Sequence, residues 1–332
     1  MSGADLILGI ETSCDDTSVA LVDRGGRVIA CETVSQFDIH AEFGGVFPEL
    51  ASRAHLEAVL PTVDKVLKAI DSDTGRLRAI GVTRGPGLIG SLIVGMNTAQ
   101  ALGLAWGKPV FGVNHLRGHL RSPDLDEKRI TYPALLLLVS GGHTLLCHMT
   151  STTEITVLGT TRDDSVGETY DKVARMLDLG MPGGPALDRL ARAGRAVHRF
   201  PRPMIREGYE FSFSGLKSSV ARMLEKDPDV DRADVAASFV AACLDVLGTK
   251  VRRALGEYEA KSLVVVGGVA ASPQIRDLVG EICAKTGVQP CLPPLKWATD
   301  NAAMIALATW DYVDRSEPTD MRTVPSMSLA AW

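Results

Sequence analysis

Short runs of leucine and β-branched residues that end in glycine or a polar turn alternate along this chain with segments of helical periodicity. Residues 5–10 form the first such run and are followed by a polar turn at 11–17, whereas residues 49–70 carry apolar side chains at helical spacing. Further along, Ser262–Val266 is a similar apolar run, and Gly267-Gly268 follows it. This alternation predicts an α/β fold.

The same order of elements occurs twice, which indicates a duplication. Each half begins with a strand–turn–strand hairpin, and a strand–glycine–helix unit follows later. The glycines that mark these two features are 76 residues apart in the first half, at Gly9 and Gly85, and 126 apart in the second, at Gly141 and Gly267. We place the 50 additional residues at about 160–235. The sequence therefore predicts two α/β domains, an insertion in the second, and a cleft between them lined by glycine turns.

Length, charge and cysteine content agree with a soluble two-domain protein. The 332 residues suffice for about two domains. No apolar run reaches the roughly 18 residues that a bilayer requires, and the first residues lack the features of a leader peptide. The net charge of −5 argues against indiscriminate nucleic-acid binding but is compatible with a local basic patch. The six cysteines include no C-x-x-C pair, which is typical of reduced thiols in a cytoplasmic protein.

Two histidines four residues apart form a candidate metal site. His115 and His119 follow the apolar run Val110–Val113 and the capping residue Asn114. A helix that starts here would place both rings on one face, within reach of one metal ion. The alternative is two polar residues at a helix start. Leu116 stands where a zincin protease has its catalytic glutamate, which argues against that class.

Asp300 is the candidate third ligand. It precedes an alanine-rich helical segment, and it is either the N-cap of that helix or a ligand that joins the two histidines. Two histidines and one carboxylate would leave coordination positions open for substrate or water. Such a set suits Fe(II) or Zn(II).

Glycine turns at strand ends favour a nucleotide site. Val139–Thr144 contains one glycine pair and Val266–Ala270 contains another. Glycine lets the backbone approach a ligand closely and presents free N–H groups to phosphate. Each turn alone could equally be a plain hairpin or packing turn, but several in corresponding places favour nucleotide binding. Neither the Walker pattern nor the dinucleotide-binding glycine pattern occurs.

Charged residues crowd the predicted insertion. A carboxylate at its start either accepts ribose hydroxyls or begins a helix. The acids in question are Asp163, Asp164, Glu168, Asp171 and Asp188. Residues 189–206 then contain six arginines and no acid. This basic run, flanked by aromatic residues, either grips RNA phosphates with rings available for base stacking or is a solvated helix face. The flanking aromatic residues are Phe200, Tyr209, Phe211 and Phe213.

Eleven short motifs occur in one order along the chain, and together they are highly specific. They are Glu11–Thr17, Gly44–Glu49, Gly85–Leu88, Asn114–His119, Val139–Thr144, Asp163-Asp164, Gly167-Glu168, Asp171–Ala174, Pro182–Pro185, Phe211–Lys217 and Thr299–Ala306. From about residue 5 to residue 312, the sequence closely resembles the tRNA N6-adenosine threonylcarbamoyltransferase family, whose members were once described as O-sialoglycoprotein endopeptidases.

The resemblance implies the actin-like ATPase fold of sugar kinases, heat-shock proteins and actin, with two ribonuclease-H-like domains around a cleft. We assign residues 1–120 plus 305–332 to the N-terminal domain and 121–304, with the insertion, to the C-terminal domain. The implied enzyme is an acyltransferase that assists its reaction with one divalent metal ion, Fe(II) or alternatively Zn(II). It moves the threonylcarbamoyl group from threonylcarbamoyl-AMP to N6 of the adenosine 3′ of the anticodon, in tRNAs that read codons starting with A.

The resemblance also assigns residues. His115, His119 and Asp300 are the implied metal ligands. A loop in the second half would surround the adenylate and the metal, and three further residues would contact ribose and adenine. The loop consists of Val139, Ser140, Gly141, Gly142 and His143. The three further residues are Asp171, Gly184 and Asp188.

Three other positions bear on the site. Glu11 is a candidate general base because the family usually has an acid there, and a solvent-facing turn residue is the alternative. Ser272 stands where the family usually has an asparagine that contacts the nucleotide, and a hydroxyl offers fewer hydrogen bonds than an amide. Arg117 replaces an acid common between the two histidines. All three implied metal ligands are kept, so we do not expect a non-catalytic paralogue.

The expected partners are tRNA, threonylcarbamoyl-AMP, a smaller non-catalytic paralogue and a P-loop ATPase subunit, in the cytoplasm and away from membranes. The apolar helix at 50–70 would either supply the interface with the paralogue or pack in the core. Two other functions remain open from the sequence. One is an ATPase or small-molecule kinase of the same fold, and the other is a non-catalytic scaffold subunit.

Overall fold

The computed structural model describes residues 5–41, 45–127, 129–180, 183–315 and 320–331. Gly44 and Pro182, which belong to two of the motifs, lie outside these ranges. The chain divides into two compact units. The first comprises the residues up to Arg129 and those from Pro293 onwards, and the second comprises Ile130–Leu292.

The first unit is built on a five-stranded mixed sheet. Its strands are β1 (Leu6–Glu11), β2 (Asp16–Asp23), β3 (Val28–Ser35), β4 (Leu77–Gly85) and β5 (Val110–Asn114). They lie in the order β3-β2-β1-β4-β5. The first three strands are antiparallel neighbours, whereas β4 runs parallel to β1 and β5 runs parallel to β4.

Helices pack on both faces of this sheet. Numbered in chain order, they are α1 (Phe37–Ala41), α2 (Pro48–Leu67), α3 (Ile89–Trp106), α4 (His115–Arg121) and α10 (Ala302–Arg315). Alternate side chains of β1 point to opposite faces. Leu8 therefore packs in the hydrophobic cluster with α2 and α3, while Ile7 packs in the cluster with α10. Burial on both faces explains why β1 is an uninterrupted apolar run that ends in Glu11.

The second unit repeats this sheet. Its strands are β6 (Ala134–Val139), β7 (Thr144–Met149), β8 (Ile155–Thr160), β9 (Ser262–Val266) and β10 (Gln289–Cys291). The order is β8-β7-β6-β9-β10, again with three antiparallel strands and two parallel ones. Its helices are α5 (Val166–Met176), α6 (Gly183–Ala193), α7 (Ser214–Lys226), α8 (Arg232–Glu257) and α9 (Pro273–Thr286).

The equal strand order in the two units confirms that the fold is a duplicated α/β domain. The additional material of the second unit lies between β8 and α8, where it forms α5, α6, α7 and the irregular segment 194–213. Between β3 and α2, the described residues of the first unit form the single short helix α1.

The unit boundaries differ from those assigned to the sequence. The predicted boundaries were 120/121 and 304/305, but the units divide at 129/130 and 292/293. The reason is a set of contacts that the sequence pattern does not reveal. Trp297 and Lys296 donate hydrogen bonds of 3.0 and 2.7 Å to the carboxylate of Asp126. These bonds fix the segment before α10, and Asp300 with it, to the first unit.

Within the described residues, every helix is either too short or too polar to cross a membrane.

Candidate metal centre and nucleotide-binding loops

The helix α4 presents two histidines because β5 ends directly at its N-cap. The side chain of Asn114 accepts a hydrogen bond of 3.0 Å from the N–H of Leu116, which starts the helix. The same side chain donates bonds of 2.8 and 3.0 Å to the carbonyls of Ser328 and Ala331, so the C-terminal segment also holds it. The rings of His115 and His119 then lie edge to face, with 4.7 Å between their centroids.

Asp300 completes a cluster with these two rings. Its Oδ1 atom lies 3.0 Å from Nε2 of His119 and 3.5 Å from Nε2 of His115. All three potential ligand atoms lie within 4.8 Å of one another. The two rings turn the same nitrogen toward one carboxylate oxygen, as residues sharing a metal ion would. The cluster thus fits a divalent metal chemically, with two nitrogen ligands and one oxygen ligand.

Asn301 and Ser18 cap the start of α10. Asn301 Oδ1 accepts a hydrogen bond of 2.9 Å from the N–H of Met304. The hydroxyl of Ser18 accepts one of 2.9 Å from the N–H of Ala302. These bonds fulfil the capping role that was the alternative interpretation of Asp300. Its carboxylate, about one-third exposed, faces the histidines instead.

Glu11 is buried behind His115. Its side chain is 1 % exposed, so the alternative of a solvent-facing turn residue is wrong. Its Oε2 atom lies 3.0 Å from Nδ1 of His115 and accepts a 2.6 Å hydrogen bond from Thr83, while Oε1 accepts one from the N–H of Ser13. A carboxylate on one ring nitrogen directs the other toward a metal and fixes the tautomer.

The electrostatics of this group depend on burial and on three charges. Burial opposes the protonated form of His115, but the carboxylates of Asp300 and Glu11 outweigh it and raise the pKa of His115 to about 9. Burial also works against the ionised form of Glu11. The charge and hydrogen bond of His115 nevertheless hold the pKa of Glu11 below its usual value. The metal-free site therefore favours an imidazolium between two carboxylates.

The turn between β6 and β7 is ordered by its own hydrogen bonds. The N–H of Ser140 donates to the carbonyl of His143 at 2.8 Å, and the N–H of His143 donates to the Ser140 hydroxyl at 3.0 Å. The hydroxyl of Ser165, the N-cap of α5, donates a 2.6 Å bond to the carbonyl of Gly141. Gly141 and Gly142 are exposed, with open space where side chains would stand. The turn thus leaves backbone accessible at its tip, while Val139 before it is fully buried.

The predicted ribose and adenine contacts also lie in the second unit. Asp171 on α5 accepts hydrogen bonds from the N–H groups of Gly183 and Gly184, and burial still raises its pKa. Asp188 on α6 is buried, which raises its pKa as well, although the nearby Ser272 hydroxyl acts in the opposite direction.

Three buried polar atoms around Asp188 form no hydrogen bond of normal geometry, although the Ser272 hydroxyl lies close enough to the Asp188 carboxylate to lower its pKa. They are Oδ1 of Asp188, the hydroxyl of Ser272 and Oε1 of Gln274, whose amide nitrogen donates a 3.0 Å bond to the carbonyl of Asp188. Buried polar atoms normally have partners, so unpaired ones indicate a place for a polar ligand or water. The sequence singled out Asp188 and Ser272 but missed Gln274, which follows the helix-starting Pro273.

Two acids of the insertion have structural contacts. The carboxylate of Asp163 accepts hydrogen bonds from the N–H groups of Phe213 and Ser214 at the start of α7. Asp164 lies 3.0 Å from Nζ of Lys172 and 2.9 Å from Nζ of Lys217. For these two residues, the contacts favour a helix-holding role over contact with a ribose.

The sequence analysis also missed the residue that supports the turn after β1. His55 on α2 is fully buried. Its Nδ1 lies 2.7 Å from the Thr17 hydroxyl and its Nε2 lies 3.0 Å from the carbonyl of Cys14. The only available signal was a polar residue within an apolar helical pattern, which the spacing alone did not distinguish from a surface position.

Three of the four aromatic residues that flank the arginine run are too deeply buried for base stacking. Phe200, Phe211 and Phe213 are at most 2 % exposed and belong to the core of the second unit. Tyr209 is half-buried and packs against the same core. The expectation that these rings stack on RNA bases is therefore wrong for the three phenylalanines.

Comparison with known proteins gives consistent similarities. The sequence model of a family described as tRNA N6-adenosine threonylcarbamoyltransferase matches residues 27–307. A protein of that name from Staphylococcus haemolyticus is 44 % identical over 317 residues, which cover 94 % of this chain and 92 % of the relative. Another from Halalkalibacterium halodurans is 45 % identical over 313 residues, covering 93 % and 91 %.

Solved structures with low sequence identity share the fold. HypF of T. kodakarensis superposes with a TM-score of 0.63 at 14 % identity, over 94 % of this chain and 48 % of that one. Component A of the (R)-2-hydroxyglutaryl-CoA dehydratase of Acidaminococcus fermentans gives 0.56 at 15 % identity, over 93 % and 99 %. These similarities confirm the predicted actin-like ATPase fold.

Proposed function

Because this chain belongs to the tRNA N6-adenosine threonylcarbamoyltransferase family, it is a transferase that modifies tRNA, and we propose the donor, metal and residues that it uses. The donor is threonylcarbamoyl-AMP. The acceptor is N6 of the adenosine 3′ of the anticodon in tRNAs that read codons starting with A. The observation that carries the proposal is the convergence of His115, His119 and Asp300, whose ligand atoms lie within 4.8 Å of one another.

His115, His119 and Asp300 hold one divalent metal ion per chain. Two histidines and one carboxylate with open positions are typical of non-haem Fe(II), which makes Fe(II) the first choice and Zn(II) the alternative. When bound, the ion supplies a Lewis acid for a carbonyl or phosphate oxygen of the donor. Glu11 acts as a positioning residue rather than as a general base, because its two oxygens already accept bonds from Ser13, Thr83 and His115.

The second unit binds the adenylate. The exposed backbone of Gly141 and Gly142, between Ser140 and His143, suits the phosphate and the developing negative charge. Asp171, Gly184 and Asp188 contact ribose and adenine. The unpaired atoms of Asp188 and Ser272 supply acceptors and a hydroxyl for this purpose, so Ser272 takes part although it replaces an asparagine.

The reaction needs little more than positioning. The bond between N6 and the carbamoyl carbon forms, the bond from that carbon to the phosphate oxygen breaks, AMP leaves and N6 loses a proton. The carbamoyl–phosphate anhydride is already activated. Holding donor and acceptor in contact and stabilising the developing charge therefore account for most of the acceleration.

The partners are a smaller non-catalytic paralogue and a P-loop ATPase subunit, in the cytoplasm. Exposed apolar side chains on α2 and α3 support a protein interface there: Leu56, Leu60, Ile89 and Ile93 are 43–64 % exposed. The free state of all six cysteines is consistent with a reducing compartment. The kinase and scaffold alternatives are not favoured, because the relatives at 44 % identity or above are named as transferases.

The test is transfer of labelled threonylcarbamoyl from its adenylate to unmodified tRNA, with partner proteins present. We expect His115→Ala/His119→Ala to abolish transfer and to remove bound metal. The matched control is His148→Ala, a half-buried histidine on β7 of the second unit whose Nε2 lies 2.9 Å from the carbonyl of Glu259 and whose ring packs on Tyr258. Equal transfer by the double variant and the wild type would refute the metal centre.

A further inference from the structure

The arginine-rich run of the insertion lies along α8 and is held there by hydrogen bonds. At its start, the N–H of Arg195 donates a 2.7 Å hydrogen bond to the carboxylate of Asp234. Three residues later, the N–H of His198 donates a 3.0 Å bond to the hydroxyl of Ser238. Both acceptors are in the first two turns of α8, so the segment and the helix start side by side.

The contacts continue in the same order toward the end of α8. Arg202 donates bonds of 3.0 and 2.8 Å to one carboxylate oxygen of Asp245. Arg253 then donates a 3.0 Å bond to the carbonyl of Ile205. Because the contacts advance together along both segments, residues 195–208 run parallel to α8. The distance from residue 234 to residue 250 on a helix is about 24 Å.

A fully buried lysine fixes the far end of this segment. The Nζ atom of Lys250 donates hydrogen bonds of 2.8, 2.6 and 3.2 Å to the carbonyls of Met204, Glu207 and Gly208. A buried ammonium is costly unless its donors are satisfied, and here three backbone carbonyls satisfy them. The three hydrogen bonds from Lys250 thus hold the irregular backbone at 204–208 in one conformation.

This attachment uses the carboxylates of Asp234 and Asp245 and leaves three arginines facing solvent. Arg195, Arg199 and Arg206 are exposed, and among the described residues their side chains form neither an ion pair nor a hydrogen bond. We call these three the arginine strip. On the preceding helix α6, Arg189 and Arg192 are exposed as well. The nearest acid in sequence after Arg206 is Glu207.

We propose that the arginine strip is a binding site for the tRNA phosphate backbone. A row of three cations about 24 Å long, on a segment held along α8 by hydrogen bonds, spans several phosphates of one strand. Arginine is suited to phosphate because its planar guanidinium donates two parallel hydrogen bonds. Since the neighbouring phenylalanines are buried, the strip contacts phosphates without reading bases, so binding here is independent of tRNA sequence.

The inference rests on the tRNA substrate of the proposed function, and it is tested by binding rather than by transfer. The test variant is R195Q/R199Q/R206Q. The control R78Q/R222Q/K285Q removes the same charge from three exposed cations that form no ion pair in the described structure and lie elsewhere. A third variant, R195K/R199K/R206K, keeps the charge of the strip. Thermal unfolding checks that all three fold like the wild type.

The measurement is the affinity of the full chain for an unmodified tRNA transcript, by fluorescence anisotropy, over a range of KCl concentrations. Loss of three phosphate contacts makes the fall of log K with log salt less steep, by about 2 to 3 in slope. We therefore expect R195Q/R199Q/R206Q to bind roughly ten- to a hundredfold more weakly at near-physiological salt. The lysine variant should keep the wild-type slope, and the control should lose much less than the glutamine variant.

Three results would overturn the proposal. One is an equal loss of slope in the glutamine variant and the control, since net charge alone would then explain it. The second is unchanged tRNA affinity in the glutamine variant. If that variant instead loses binding to vesicles of phosphatidylserine, the strip binds an anionic lipid surface and not tRNA. The third is absence of measurable tRNA binding by the wild type. None of these results changes what is expected of the transfer assay with His115→Ala/His119→Ala. The binding site for tRNA and the metal centre are therefore tested separately.

Discussion

Glu11 determines which nitrogen of His115 is available to a metal. Its carboxylate occupies the Nδ1 side of the ring at 3.0 Å, and Thr83 and Ser13 hold that carboxylate in place. Nε2 consequently points to Asp300. Because Glu11 fixes the orientation of the ring, His115 loses less conformational freedom when it binds a metal. The carboxylate also raises the basicity of Nε2.

The first prediction concerns Glu11→Gln, which keeps the size of the side chain but removes its charge. We expect the affinity for Zn(II) or Fe(II) to fall about ten- to a hundredfold, as measured by competition with a chelator of known affinity. Glu32→Gln is the matched control, because Glu32 pairs with Lys65 on the surface of the same unit. Equal affinities in the two variants would contradict the positioning role.

The second prediction concerns the pH dependence of the metal-free protein. The pKa of His115 is about 9 in the folded chain and roughly 6.5 in an unfolded one. Protonated His115 therefore stabilises the folded state fully below about pH 6.5, and this contribution is lost as the pH rises through about 9. Its size is on the order of 3 kcal/mol at most. Urea unfolding of chelator-treated protein should show the loss in the wild type, and His115→Ala should remove it. A loss of equal size in the variant would disprove the assignment.

At the scale of elements, the packing of α10 against β1 brings the parts of the metal centre together. Gly9 makes this close approach possible, because a Cβ atom there would lie 2.3 Å from the carbonyl of Ala302 and 2.9 Å from Cβ of Ala306. Glu11 follows Gly9 at the end of β1, and Asp300 precedes α10. The distance between these two elements thus controls the spacing of the carboxylates around His115.

The third prediction is that Gly9→Ala pushes α10 away from β1. Overpacking in a tight core costs roughly 1–3 kcal/mol, which urea unfolding would register as a lower midpoint. Metal affinity should fall in parallel because Asp300 moves with α10. Gly256→Ala is the control, since nothing lies within 4 Å of its added Cβ on α8 and alanine favours a helix. Wild-type stability and metal affinity in Gly9→Ala would show that the contact is not needed.

The helices, the strands and the histidine pair could be predicted from the sequence, whereas the contacts between elements could not. The spacing of His115 and His119 and the apolar runs of β1 and β6 are local patterns with a fixed period, so they can be read directly. The bond from Trp297 to Asp126, which moves the unit boundary, joins residues 171 positions apart. Likewise, the contact of Glu11 with His115 requires β1 and β5 to end at the same edge of one sheet, on either side of β4. Such pairings depend on tertiary packing, and no periodicity encodes them.

At the scale of the whole molecule, two units with the same strand order carry different polar groups. The two units have the same strand order, but the first holds the histidine–carboxylate cluster and the second holds the glycine turn, the unpaired atoms around Asp188 and the arginine strip. The divergence lies in the connections between strands: α4 follows β5 directly in the first unit, whereas α5 to α7 follow β8, the counterpart of β3, in the second. Under the proposed function, the two units thus share one framework and differ in the ligand that each holds.

The central claim is that one metal ion at His115, His119 and Asp300 supports threonylcarbamoyl transfer. The most direct test is to strip the purified protein of metal, restore Fe(II) in steps, and measure the bound ion and the initial transfer rate at each step. We predict that the rate rises in proportion to bound metal and levels off at one ion per chain, and that Asp300→Ala neither binds the ion tightly nor recovers activity. Full activity in the stripped protein, or recovery by Asp300→Ala equal to that of the wild type, would contradict the account.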